Sequence, residues 1–421
     1  MPGLTIEFQT VFATMVKCPT ILSLVTLGNL APGTSAAEHD STCGQFNVMA
    51  LGDWGAPLDT NNVGTQAAVA TIMGMWIETY NSYSDVFDLG DSLYWNGVIP
   101  TNVKTRMKLS FEDVYPELHQ KDIFWSGLFG NHGLAGGAYL CIKNDVNIST
   151  LNPTRVACER PDDVTDALNQ HVLGQQTYAK YNKLWYPKQP FYMRTFTRND
   201  IVVDVFFVDM NSARVNGVSN ICCQCYGQAN TNGCEAVTIM DEKRCADGRT
   251  DIVKACSGVL NAWENESIKM IEEKACSSKA DHKLLLSHYN VLLHLTDEKR
   301  DRWIKVLNDC GVTLSASGHT HGMALQAHAG ISFITSGNGG GRPSEIVYDP
   351  VVGNTVWKPE VANYGFTALS FNKTNVLVQY VVVKEDSIIG SSKAENKITG
   401  FEVAYSFSLP AAKSSQLLPV N

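Results

Sequence analysis

The chain has 421 residues, 44% of them hydrophobic and 18% charged, a globular composition with length for one large domain or two ordinary ones. A formal net charge of -9 gives no basis for a nucleic-acid partner or an anionic membrane partner. The same acidity repels phosphorylated ligands, so any phosphate site must carry its own local positive charge.

The first feature along the chain is an apolar run at 20–31, followed by small residues at Thr34, Ser35, Ala36 and Ala37. It predicts a secretory leader over 1–37, with Met15 as an alternative start because Lys17 then supplies the cationic end. The run is too short to span a bilayer. Twelve cysteines are many for a reduced compartment, and Cys222, Cys223, Cys225, Cys234, Cys245 and Cys256 crowd one stretch. No histidine accompanies them there, so disulfides suit them better than zinc. Sequons at Asn147, Asn265 and Asn372 agree with a secreted protein or one of a lysosomal or vacuolar lumen. With Cys18 lost in the leader an odd number remains, so one thiol is expected free or intermolecular, and Cys310 is the candidate.

Short apolar runs ending in Gly-rich polar turns recur: "FNVMALGDWG" (46–55), "DVFDLGDSLYWNG" (85–97), "IFWSGLFGNHG" (123–133), "IVVDVFFVDMN" (201–211), "HKLLLSHYN" (282–290) and "VTLSASGHTH" (312–321). They read as strands. Helical patterns lie between them at 63–80, 171–185, 258–275 and 297–309, the last behind Thr296 as N-cap. Strands alternating with helices indicate an α/β protein with a largely parallel or mixed sheet. After 330 the strands lose their helices and read as an antiparallel continuation.

Open α/β sheets bind ligands at the carboxyl ends of their strands. Asp53, Asp91 with Tyr94, Asn131 with His132, His288, and the pair His319 and His321 all fall there. Each has a bland explanation alone, such as a helix cap, a turn or a core-edge histidine. Five such clusters at five strand ends make those explanations jointly improbable. Carboxylate, amide and phenolate oxygens mixed with imidazole nitrogens suit two cations, one of them hard.

The ordered series GDxG, GDxxY, GNH, a single His after an apolar strand, and GHxH resembles the metallophosphoesterase superfamily. The tyrosine of "GDSLY", with "FEDVY" and "YNKLWYPKQPFY", is similar to the small, tartrate-resistant branch of the purple acid phosphatases, over roughly 46–385. The resemblance implies a four-layer sandwich of two mixed β-sheets flanked by helices. It implies one catalytic domain over 38–410, with a cysteine-rich insertion at about 212–256, and a tail at 411–421. It also implies a dinuclear centre: ferric iron on Asp53, Asp91, Tyr94 and His321, and a divalent iron, zinc or manganese on Asp91, Asn131, His288 and His319. His132 and His294 would serve catalysis, and phosphomonoesters, small or on proteins, would be hydrolysed by metal-activated water. Two positions depart from the family: Gly133 stands where an acidic residue usually follows GNH, and Ser92 where Asn usually follows the second GD. Trp54 and Trp95 read as packing beside the site, and the glycine loop 335–343 as a tight turn at its rim, with Arg342 within reach of substrate. The insertion is expected to act as a disulfide-held lid or as a surface ornament. The alternatives are a phosphodiesterase or nucleotide hydrolase of the same superfamily, and a silent binding protein on the same fold.

Overall fold

Phe46–Leu51 (β1) is buried on both faces. Side chains alternate along a strand, so Phe46, Val48 and Ala50 join one apolar cluster while Met49 and Leu51 join another. That parity defines the layers of the computed structural model, which describes residues 44–55, 63–142, 154–214, 216–224, 245–342, 344, 353–384 and 398–411.

β1 pairs in parallel with Tyr83–Asp88 (β2), which pairs in parallel with Phe124–Gly127 (β3). On the other side β1 runs antiparallel to Gly365–Phe371 (β13), which continues through Asn375–Val383 (β14) to Phe401–Pro410 (β15). The order of this six-stranded sheet is β15-β14-β13-β1-β2-β3. Cys141–Ile142 (β4) and Arg155–Val156 (β5) form a separate small ribbon. The second sheet centres on parallel strands Ile201–Phe207 (β7), His282–Ser287 (β8), Leu314–Ser317 (β9) and Ile331–Ser336 (β11). Antiparallel strands flank them: Tyr192–Arg198 (β6) at one edge, Met323–His328 (β10) and Asn354–Trp357 (β12) at the other. The sheets face each other across one cluster, with Val48 and Phe87 from the first and Val203, Val205, Leu284 and Leu286 from the second. Helices cover both outer faces. Val63–Tyr80 (α1) supplies Ile72, Met73 and Trp76 to the first sheet, and Trp303 and Leu307 pack against Phe206 and Leu285 of the second. This is the expected four-layer arrangement with an antiparallel C-terminal continuation.

The short helices Val103–Met107 (α2) and Pro116–Gln120 (α3) lie between β2 and β3. The helix expected at 171–185 lies instead at Pro161–Tyr178 (α4). Pro161 opens it, and the Asp163 carboxylate accepts from the Arg160 N–H at 2.9 Å, a start signal masked by a polar first turn. Val218–Cys222 (α5) is a single turn. The helix expected from 258 begins at Thr250 and runs to Met270 (α6), continuing as wide turns over 271–275. A turn at Val291–His294 (α7) precedes Asp297–Asp309 (α8), which starts where expected: the Thr296 hydroxyl accepts from Lys299 N–H.

Disulfides join Cys141 to Cys158, Cys222 to Cys256, Cys223 to Cys245 and Cys276 to Cys310. The first three staple a satellite core in which α4 and α6 pack together. Cys310 is therefore not the free thiol expected; it anchors the end of α8 to the segment after α6, and no described cysteine is free. Four bridges fit an oxidising compartment, and no helix among the described residues is long and apolar enough to cross a membrane. The leader over 1–37, the Asn147 sequon, the middle of the cysteine-rich insertion (225–244) and the tail from 412 lie outside the described residues.

Candidate metal centre

The residues singled out at the strand ends gather where the two sheets meet. Asp53, Asp91 and His319 each sit at positive φ (57°, 50° and 66°), which turns the chain sharply as it leaves the strand. A non-glycine residue adopts that region at a cost, repaid where surrounding contacts fix it. The motif glycines permit close approach between loops. A Cβ on Gly90 (φ +95°) would lie 2.6 Å from His288 Nδ1, and one on Gly130 would lie 2.2 Å from Asp91 Oδ1.

Two groups of side chains result. In the first, Tyr94 Oη donates to Asp53 Oδ1 at 2.9 Å, and His321 Nε2 stands 3.4 Å from the phenol and 3.6 Å from the carboxylate. In the second, His288 Nε2 lies 3.3 Å from Asp91 Oδ2, 3.3 Å from Asn131 Oδ1 and 3.2 Å from His319 Nδ1. The His319 N–H donates to Asp53 Oδ2 at 2.7 Å and links the groups. Asp91 Oδ1 accepts from the His132 N–H at 2.9 Å.

The second group has the donor set of a cation site. His288 Nδ1 faces the Leu89 carbonyl at 2.8 Å, so the ring proton belongs there and Nε2 presents a lone pair. The Asn131 amide donates to Asn220 Oδ1 at 2.8 Å, which aims its own oxygen at the same point. At most one proton, on His319 Nδ1, can lie among these four atoms. That proton can serve the His288 Nε2 lone pair but not the Asp91 and Asn131 oxygens, which only a proton on His288 or a cation would satisfy from this side, and the ligand atoms of Asp91, His288 and His319 lie within 4.8 Å of one another. The electrostatics say the same. Burial pulls His288 down, but the Asp91 charge and hydrogen bond outweigh it and push the imidazole up to about 9. Burial and the nearby Asp91 charge push Asp53 up to about 8. For Asp91 burial is overcome by His288, His132 and His319, which hold it well below the carboxylate range. Burial lowers His319 well below its ordinary value, with the charges of His294 and His288. Burial and Arg342 bring His321 to about 4.

A further layer holds these loops. Asp88 Oδ1 accepts from Trp54 Nε1 and from the Gly90 N–H, both at 3.0 Å. Its Oδ2 takes Lys188 Nζ at 2.5 Å and the Ser92 hydroxyl at 2.6 Å. Lys188 also donates to Ser92 Oγ and to the Leu128 carbonyl. Both charges are fully buried, and the network joins the loops after β1, β2 and β3. Ser92, one departure from the family pattern, is thus part of an ion-pair network. At the other departure, Gly133, orientation of His132 comes from elsewhere: its Nδ1 bonds the Trp95 carbonyl at 2.9 Å. His294 is buried. Its Nδ1 accepts from the Asn290 N–H at 2.9 Å, its Nε2 faces the Thr320 hydroxyl at 3.3 Å, and burial drives it down to about 3. Trp54 is packed among Phe111, Tyr115 and Trp125. The glycine loop straps over the Asp53 turn, Gly339 donating to Gly52 O and Gly341 to Asp53 O. Asn220, Thr320 and Lys188 were not anticipated. Only Lys188 left a signal, a lysine set between Pro187 and Pro190 in an aromatic segment.

Compared with known proteins, the chain is 23% identical over 319 residues to tartrate-resistant acid phosphatase type 5 of Sus scrofa, covering 73% of this chain and 74% of that protein. It is 23% identical over 368 residues to the protein of the same name from Rattus norvegicus, covering 82% and 90%. Among solved structures, PhoD superposes with a TM-score of 0.50 at 11% identity, over 88% of this chain and 70% of that one. No model of a known protein family matches the chain. The fold is of metallophosphoesterase type, and the sequence relatives support a place in that superfamily and a hydrolase at the coarse level.

Proposed function

We propose that the protein is a metal-dependent acid phosphatase acting on phosphomonoesters, small or on proteins, outside the cell or in a lysosomal or vacuolar lumen. One observation carries the reading: Asp91, Asn131 and His319 converge on His288 Nε2 at 3.2–3.3 Å with almost no protons among them, beside a second group that includes a phenol. In this reading Asp53, Tyr94 and His321 hold ferric iron, Asn131, His288 and His319 hold a divalent iron, zinc or manganese, and Asp91 is shared. When bound, the two cations neutralise phosphoryl charge and lower the pKa of water so that it attacks at modest pH.

The chain's own residues orient and move protons. The Leu89 carbonyl and Asn220 fix His288 and Asn131 in the states that present their electron pairs inward. The Trp95 carbonyl fixes the Nδ1 proton of His132, leaving Nε2 for proton exchange with the leaving oxygen. Burial lowers His132 below its ordinary pKa, so its donor form belongs to acid solution. His294, with both nitrogens engaged, braces Thr320 and the His319 turn.

The test is metal analysis of the purified protein with hydrolysis of an aryl phosphate monoester and the matching diester. The reading expects two metals per chain, one of them iron, and a faster monoester. A faster diester would favour the diesterase alternative; no metal and no turnover would leave a binding protein. Tyr94→Phe should abolish a visible absorption band from phenolate and iron, and an unchanged spectrum would refute the role of Tyr94.

A further inference from the structure

Among the described residues, Arg342 is a cation without an ion-pair partner at the edge of this centre. Its guanidinium carbon lies 4.4 Å from the centroid of the Trp95 ring, a stacked geometry that suits arginine and holds its fork in one plane. Its Nε is buried without a hydrogen-bond partner, and it forms no ion pair among the described residues. The backbone keeps it in place, since Gly341 donates to Asp53 O at 2.8 Å. Trp95 in turn lies edge-on to His132, with ring centroids 5.2 Å apart, and holds the Nδ1 of that histidine. After burial, the Arg342 charge is among the influences on His321, His132 and Tyr94. A buried guanidinium donor left unpaired is costly unless a ligand completes it. In a chain of net charge -9, a fixed cation at the site supplies the local attraction that an anionic substrate requires.

We propose that Arg342, stacked on Trp95, is a substrate-binding residue that takes a phosphoryl oxygen and makes the site select dianionic phosphate monoesters over monoanionic diesters. A planar guanidinium offers two parallel donors to a phosphate with free oxygens. A diester has one ester oxygen more and one charge less, and loses part of that pairing. The proposal rests on the phosphatase reading and deepens it by naming what the site discriminates.

The experiment compares the metal-loaded wild type with Arg342→Ala, Arg342→Lys and Trp95→Ala. Three quantities are read: metal content, binding of inorganic phosphate by calorimetry, and kcat and KM for an aryl monoester and its diester. Arg342→Ala should keep its metal content and melting temperature. It should weaken phosphate about tenfold, as for the loss of one charge-assisted hydrogen bond. KM for the monoester should rise more than for the diester, so that the preference narrows. Arg342→Lys should restore part of the phosphate affinity, and Trp95→Ala should weaken it by releasing the guanidinium. If wild type binds phosphate and turns over the monoester while Arg342→Ala matches it in affinity and preference, the role of Arg342 is overturned and the phosphatase reading stands. If wild type neither binds phosphate nor turns over either ester, both fall together.

Discussion

In the group formed by Asp53, Tyr94 and His321 a phenolic proton lies between Tyr94 and Asp53 at 2.9 Å. In the group formed by Asp91, Asn131, His288 and His319 at most one proton lies among four electron-pair donors. The first can rest without a cation as a hydrogen-bonded acid and phenol, with Asp53 pushed up to about 8. In the second, the Asp91 and Asn131 oxygens face His288 Nε2 with no donor between them unless a metal or a proton on His288 supplies one. Two neighbouring groups built from similar residues therefore differ in what they need, and the difference comes from which proton donors the backbone supplies.

The strongest way to break this comparison is Asp91→Ala, which removes the carboxylate touching both His288 and the His132 backbone. Changes to groups that merely support a ligand cost about 10–100-fold, so this one should cost more than about 100-fold in kcat and empty both groups of metal. A variant that keeps both metals and most activity would show that Asp91 is not shared. Next in size is removal of metal by chelation. Asp53 rises from 3.8 to about 8 and His288 from 6.5 to about 9, so the stripped folded chain holds protons that the unfolded chain releases. The Asp53 contribution to stability is full below about 3.8 and falls as pH rises from there to about 8, and the His288 contribution falls between about 6.5 and 9, at most about 1.4 kcal/mol per group per pH unit. Melting scans of stripped protein should show that slope, and metal should remove it; a flat stripped profile would contradict the protonated state. Asn220→Ala should act on the second group alone, lowering affinity for the divalent metal about tenfold with the ferric iron content unchanged. Equal loss of both metals would erase the distinction. The smallest effect belongs to Gly133→Ala, whose Cβ would meet only Phe129, at 3.5 Å. Stability should change by no more than about 1 kcal/mol on a melting curve; a larger loss would mean that the buried turn after Asn131 cannot hold a side chain.

The strand-end residues could be read in the sequence because each motif is local: an apolar run, a glycine, then the polar group. The α/β alternation followed from the same runs, whereas the four layers were implied only by the resemblance to the metallophosphoesterases. Partners distant in the chain left no such trace. Asn131 and Asn220 are 89 residues apart and Asp88 and Lys188 are 100 apart. Helix boundaries failed where polar first turns carried the start, as at Pro161, and where a cysteine inside a helix resembled a loop, as Cys256 does in α6. Cys310 was misread because parity says how many thiols are left over, not which ones meet.

The buried trio of Asp88, Ser92 and Lys188 has a consequence for how such a sequence can change. Removing one partner of a buried ion pair leaves an uncompensated charge and costs about 3–5 kcal/mol, a large share of a domain's stability. Lys188→Met alone would strand Asp88, Asp88→Asn alone would strand Lys188, and an Asn at 92 would have to fit between them. The three positions therefore form one heritable unit, crossed only by joint replacement or through a neutral intermediate that loses both charges at once. Homologues should carry Asp, Ser and Lys together or lack all three. Chimeras that exchange only the GD motif with a relative should fold poorly, while those that also exchange the 181–192 segment should recover.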